Sequence, residues 1–118
     1  MVRLVSAPEL IPVPGGKRIE EYVGRASTGG EAVSVALMTA PPGWEEPAQE
    51  PEFDEVTLVL TGLVRVAHDG GVLEVAAGQA VHTSAGERVR YSVGPEGARY
   101  VAVCLPAFSP EAVHRDEP

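Results

Sequence analysis

Cysteine and lysine are nearly missing from this chain, with one of each in 118 residues, and asparagine is absent altogether. A lone cysteine, Cys104, excludes an internal disulfide and fits a reducing compartment. The shortage of lysine and asparagine suggests a GC-rich genome and says nothing about function. No run approaches the roughly 18 apolar residues that a membrane helix requires. The opening "MVRLVSAPEL" has no apolar stretch of signal length, so a cytoplasmic protein is expected. Basic residues are few as well. Nine Lys and Arg against 17 Asp and Glu leave a net charge of -8. That field repels phosphate backbones, and no basic cluster offsets it, so neither nucleic acid nor a membrane surface is expected as partner.

What the chain has in quantity is glycine, 13 residues, and proline, 11, together with many valines. Short strands cut by turns explain that composition better than helices do. One domain spanning 1–118 is expected, large enough to bury a core without staples. Residues 1–30 read as an extended N-terminal arm broken by Pro8, Pro12, Pro14, Gly15 and Gly16, with room for one short edge strand. Inside it, "KRIEEYVGRA" (17–26) has weak helical spacing in Ile19 and Tyr22/Val23, ended by Gly24. "EAVSVALMTA" (31–40) has the alternation of a strand.

From residue 52 the punctuation becomes regular. "EVTLVLTG", "LVRVAH", "VLEVAA", "QAVHT", "RVRYSV" and "RYVAVCLP" read as successive strands. "DGG" (69–71) reads as a hairpin turn, and "AGQ", "SAGE" and "GPEG" as further separators. Turn signals every 8–12 residues or so are what a sandwich or antiparallel barrel produces. A core over about 31–107 is therefore expected, followed by a polar tail (108–118) that Phe108 and Val113 could dock back.

The spacing of the glycines resembles that of the cupins, small double-sheet jelly rolls. The first cupin motif is Gly, five residues, His-x-His, three or four residues, Glu, six residues, Gly. Here Gly43 leads to Gln49, Glu50 and Pro51, then Glu55 and Gly62 in register. In the second motif, Gly78 leads to Ser84, Ala85 and Gly86, and Val89 takes the histidine position. The glutamate and the turn glycines match. The three motif histidines are replaced by Gln49, Pro51 and Val89. "FDEVTLVLTG" followed by "AVCLPAF" is most similar to the ethanolamine-utilisation protein Q branch, which has Tyr-Asp-Glu-Val here, also lacks the metal histidines and is associated with acetate-kinase-type activity. This chain has Phe53 in place of that tyrosine and lacks the N-terminal half of those longer proteins. The resemblance implies an all-β, cupin-type jelly-roll barrel with an extended N-terminal arm.

Alternation alone puts Glu55, Thr57 and Val59 on one strand face and Val56, Leu58 and Leu60 on the other. Read naively, the apolar set is the core and Glu55 is wet. The resemblance reverses this, because the motif glutamate points into the barrel. The expected pocket then comprises Gln49, Phe53, Glu55, Thr57, Val89 and Tyr91. Glu55 and His82 are the candidate acid–base residues, with His82 weighed against a plain hydrogen-bonded strand histidine. Gln49, Glu55 and His82 are weak metal candidates, and Glu50, Glu52 and Glu55 together form a second, oxygen-rich set. Cys104 reads as a buried small apolar residue. Trp44 reads as a core or rim aromatic, or as a ligand platform, and His68 and His114 as surface residues.

The function expected from this set is a small-molecule-binding cupin with a polar, acidic, metal-poor pocket, in a sensor, carrier or accessory role. The alternative is an enzyme using Glu55 as general acid/base, isomerase- or lyase-like or related to ethanolamine utilisation. A metal-dependent dioxygenase with unconventional ligands comes last. No cofactor is expected, and a divalent metal only below full occupancy. A small-molecule ligand is the expected partner. A homodimer is expected as well, because the lumen reading leaves Val56, Leu58 and Leu60 facing outward.

Overall fold

The computed structural model describes residues 1–116; Glu117 and Pro118, the end of the expected tail, lie outside the described residues. The chain forms an all-β jelly-roll barrel. Its strands are β1 (Glu9–Ile11), β2 (Arg18–Val23), β3 (Ser34–Ala40), β4 (Asp54–His68), β5 (Gly71–Ala76), β6 (Ala80–Thr83) and β7 (Arg90–Leu105), followed by one helical turn, α1 (Pro110–Val113). The hydrogen-bonded order is β1-β2-β3-β7-β4-β5, all antiparallel, with β6 paired to β4.

Two strands carry the architecture. β4 and β7 are 15 and 16 residues long and pair with each other over almost their whole length. Sequence reading cuts each of them in two, at Gly62 and at "GPEG". The structure runs straight through both points. Between the pairs Gly62↔Ala98 and Val64↔Val93, β4 uses one residue, Leu63, and β7 uses four, Gly94 to Gly97. "GPEG" is therefore a bulge inside a strand, which bends the pair without ending it. Backbones pack tightly at that bend. A Cβ on Gly62 would run into the Gly97 carbonyl, and one on Gly97 would meet the Ala40 carbonyl at 2.6 Å. Both glycines also have positive φ, 81° and 74°. Only glycine fits there.

The stretch 17–26 is not helical. Its first half is β2, which pairs with β3, and β1 adds a further strand outside it. Two strands thus lie in what reads from sequence as arm. Ile19 and Glu21 point inward while Arg18 and Glu20 point away, a period of two that outweighs the loose helical spacing. The "DGG" hairpin is as expected, with His68 opposite Gly71 across the turn.

Alternation along β4 decides the interior. Thr57 and Val59 are buried, whereas Leu58 and Leu60 are 42% and 44% exposed. The main core collects Val59, Val64, Val66, Val75, Val81, Val89 and Val93 with Trp44, Tyr91 and Tyr100. Each fully buried valine of this kind contributes about 1.5–3 kcal/mol. A smaller cluster joins Phe53 and Cys104 to Val113, with Phe108 and Ala112 packed on it. The tail docks through these residues, and Glu52 N–H donates to the Ala112 carbonyl at 2.8 Å.

Candidate active site

A cavity of about 210 Å³ opens between the two clusters. Strand alternation supplies its walls in pairs and triplets: Lys17, Ile19 and Glu21 from β2 and the residue before it, Ser34, Ala36 and Met38 from β3, Glu55 and Thr57 from β4, and Tyr100, Ala102 and Cys104 from β7. Most of the lining is apolar. Its ionisable groups are few and close together.

Glu55 is the centre. Tyr91 Oη donates to Glu55 Oε1 at 3.2 Å, and Thr83 Oγ1 lies 3.2 Å from the same hydroxyl. Burial raises the Glu55 carboxyl from 4.5 to about 7, although Lys17 nearby pulls it down. Burial likewise pushes the Tyr91 hydroxyl up, with the Glu55 charge adding to it. Glu46 is also buried, and its carboxyl is raised by desolvation against the pull of Lys17 and Arg115. An Arg115 guanidinium nitrogen lies 3.4 Å from Glu46 Oε2 and donates to Gln49 Oε1 at 3.3 Å. The Lys17 ammonium sits 4.3 Å from the Trp44 ring centroid and 5.6 Å from that of Tyr100. Burial lowers its pKa despite attraction from Glu46 and Glu55. Three carboxyls and two cations thus line an apolar cup; Glu21 is held by the Ala26 and Ser27 N–H groups, while burial raises the pKa values of Glu46 and Glu55. Glu55, titrating at about 7, can exchange a proton near neutral pH.

Of the six expected pocket residues, Gln49, Phe53, Glu55, Thr57 and Tyr91 line the cavity. Val89 does not; it is part of the main core, paired with Gln49 through the backbone. His82 is exposed, opposite Val56 on the outer face, so the structure does not bring it to Glu55. Strand alternation explains this: β6 turns Val81 inward and His82 outward. Cys104 is a buried free thiol whose pKa is raised by desolvation and by Glu55, which leaves it a packing residue. Trp44 is buried, and its ring carries the Lys17 ammonium. Lys17, Glu46 and Arg115 were not legible as site residues. The available signal was a single lysine in phase with Ile19 and Glu21.

The cupin metal positions do not fit a metal here. Gln49 is a weak neutral donor held by Arg115, Pro51 offers none, and Val89 is core. The oxygen-rich set is dispersed, since Glu50 pairs with Arg88, Glu52 with His114 Nε2, and Glu55 with Tyr91. Among the described residues no three His, Cys, Asp or Glu side chains converge on one point.

No family model matches the chain. Solved structures that resemble it include an RmlC-like cupin from Shewanella frigidimarina (17% identity, 85% of each chain, TM-score 0.73). A protein described as an ethanolamine utilisation protein Q from Salmonella typhimurium also matches (20% identity, 84% of this chain and 80% of that one, TM-score 0.65). A third is Streptomyces PAC13 with uridine (13% identity, 97% of this chain and 88% of that one, TM-score 0.76). The chain shares the jelly-roll barrel fold of these structures, the fold its glycine spacing implies.

One curated relative, from Myxococcus xanthus, is 50% identical over 111 residues, 93% of this chain, and is named Endoribonuclease YbeY. This chain spans 38% of that relative's length. The name points to RNA cleavage, and it corrects the expectation of a small-molecule-binding sensor, carrier or accessory protein, together with its isomerase- or lyase-like alternative. The cause of the error is physical. An acidic cup reads the same from sequence whether a free metabolite or one unit of a polymer enters it.

Proposed function

We propose that this chain takes part in endonucleolytic cleavage of single-stranded RNA, one nucleotide entering the barrel cavity with Glu55 as general base. The observation that carries the reading is the 50% identity to the relative named Endoribonuclease YbeY. The PAC13 structure, with uridine and the same fold, adds support for a nucleoside-sized occupant. The chemistry of the cup suits the reaction. Glu55 takes the 2′-hydroxyl proton, the 2′-oxygen attacks the adjacent phosphorus, and the bond to the 5′-oxygen breaks. The departing oxygen takes a proton from water. A 2′,3′-cyclic phosphate and a 5′-hydroxyl result. Lys17 and Arg115 supply positive charge to the phosphate. With a net charge of -8 the chain gains little from gripping a long backbone, so recognition rests on the inserted unit.

The test is a short end-labelled single-stranded RNA incubated with the purified chain in the presence of a chelator. Endonucleolytic products ending in cyclic phosphate are expected from the unaltered chain. Glu55→Gln should slow their formation by about 10²-fold or more, the loss typical of a general base. No cleavage by the unaltered chain, or undiminished cleavage by Glu55→Gln, would overturn the proposal.

A further inference from the structure

The chain's only lysine is also the cation most enclosed by the cavity, and its setting is unusual for a lysine. Lys17 lies within the cavity beside Ile19, Ala36 and Met38, and the faces of Trp44 and Tyr100 flank its ammonium. Among the described residues it makes neither an ion pair within 4.0 Å nor a hydrogen bond, whereas Arg115 in the same cavity makes both. A lysine that only balances charge would sit on a carboxylate oxygen. This one is held on ring faces, at a distance from Glu46 and Glu55 that leaves its nitrogen free to meet a ligand.

We propose that Lys17 is an amine nucleophile that condenses with an aldehyde carbon delivered into the cavity, forming a covalent imine. The surroundings meet both requirements of that step. Desolvation lowers the pKa of the amine, so more of the free base is present near neutrality than for an ordinary lysine. The Glu55 carboxyl, half protonated at about pH 7, can hand over and take back a proton. The nitrogen lone pair forms the C–N bond while the carbonyl oxygen takes a proton from Glu55. The nitrogen then loses a proton to the same carboxylate. The hydroxyl departs as water with that proton, returned by Glu55, leaving the protonated imine C=N⁺–H and the Glu55 carboxylate. Nothing is oxidised or reduced. The aldehyde is either a free small molecule or the opened sugar of a nucleoside; the carbon is the same. The site is shared with the RNA reading, but the inference does not depend on cleavage.

A single lysine makes the test sharp. The native chain is incubated at pH 7 with cyanoborohydride and either glyoxylate or periodate-oxidised uridine, a nucleoside dialdehyde, and is then followed by intact mass and peptide mapping. Labelling at Lys17 is expected, severalfold or more faster than for Nα-acetyl-lysine under the same conditions, because burial lowers the pKa of the amine and the cavity holds the aldehyde against it. Label from both probes identifies a site for small aldehydes in general; label from the uridine dialdehyde alone identifies a sugar-derived source. Lys17→Arg keeps the charge and should lose the label while melting within a few degrees of the unaltered chain. Label confined to the α-amine of Met1, or Lys17 reacting no faster than the free amino acid, would overturn the proposal. RNA cleavage is read in a separate assay, so the two ideas fail separately.

Discussion

Replacing Glu55 by glutamine should stabilise the protein at high pH and leave it unchanged at low pH. In the folded chain the carboxyl titrates at about 7 rather than 4.5, chiefly because burial penalises its charge. The native state therefore binds more protons than the unfolded state between those values, and stability falls as pH rises through that window. A difference of about 2.5 units corresponds to roughly 3 kcal/mol, fully felt above pH 7 and absent below about 4.5. Glutamine is isosteric and neutral, and its carbonyl oxygen can still accept from Tyr91 Oη. It escapes a penalty that is already net of the attraction to Lys17, but its amide N–H₂ adds a donor that the apolar cup must satisfy, so a net gain of about 2 kcal/mol at pH 8 is expected. For a domain of this size that is a rise in Tm on the order of 5–10 °C. The assay is thermal unfolding of both proteins from pH 4 to 8.5, read as the difference in Tm. If that difference is flat with pH, or the variant is less stable at pH 8, the carboxylate is a satisfied ionic partner and the desolvation argument fails.

Gly62→Ala should cost several kcal/mol, from positive φ combined with a clash against the Gly97 carbonyl; an urea midpoint unchanged within error would contradict the bend described above. A homodimer is expected, since Leu58, Leu60 and Leu105 leave an apolar sheet face exposed; light scattering should give twice 12.4 kDa, and Leu58→Glu should return the monomer. A particle of 12.4 kDa for the unaltered chain at micromolar concentration would remove that expectation. Elemental analysis of protein purified without added metal should show clearly substoichiometric iron, manganese, nickel, copper and zinc. One equivalent that survives dialysis and is lost in Glu55→Ala would reveal a ligand set not apparent from the residue types.

Most strands were legible because one mechanism marks them, alternation between turn residues, and the Glu55 face followed once the glycine spacing fixed the register. Two kinds of error had physical causes. "GPEG" and Gly62 carry turn chemistry, yet a bulge needs the same conformational freedom as a turn, and only pairing partners tell the two apart. "KRIEEYV" has apolar residues that fit a helix loosely and a strand better. A seven-residue window with so few of them cannot decide, whereas pairing with β3 does.

The site was half legible for a related reason. Gln49, Phe53, Glu55, Thr57 and Tyr91 lie on segments whose register the glycine motifs fix, and all five line the cavity. Lys17 lies outside those motifs, in a stretch read as arm, and its role depends on β2 closing over the barrel. Once β2 is a strand, the consequence is mechanical. Lys17, Ile19 and Glu21 share a face, and Ile19 and Glu21 are buried, so the one lysine of an acidic chain must enter the interior with them. There it depresses the Glu55 carboxyl that burial raises, and burial depresses its own amine in turn. Burial without that lysine would hold the Glu55 carboxyl higher still; Lys17 is the largest of the influences that bring it down to about 7, where it can serve as both acid and base.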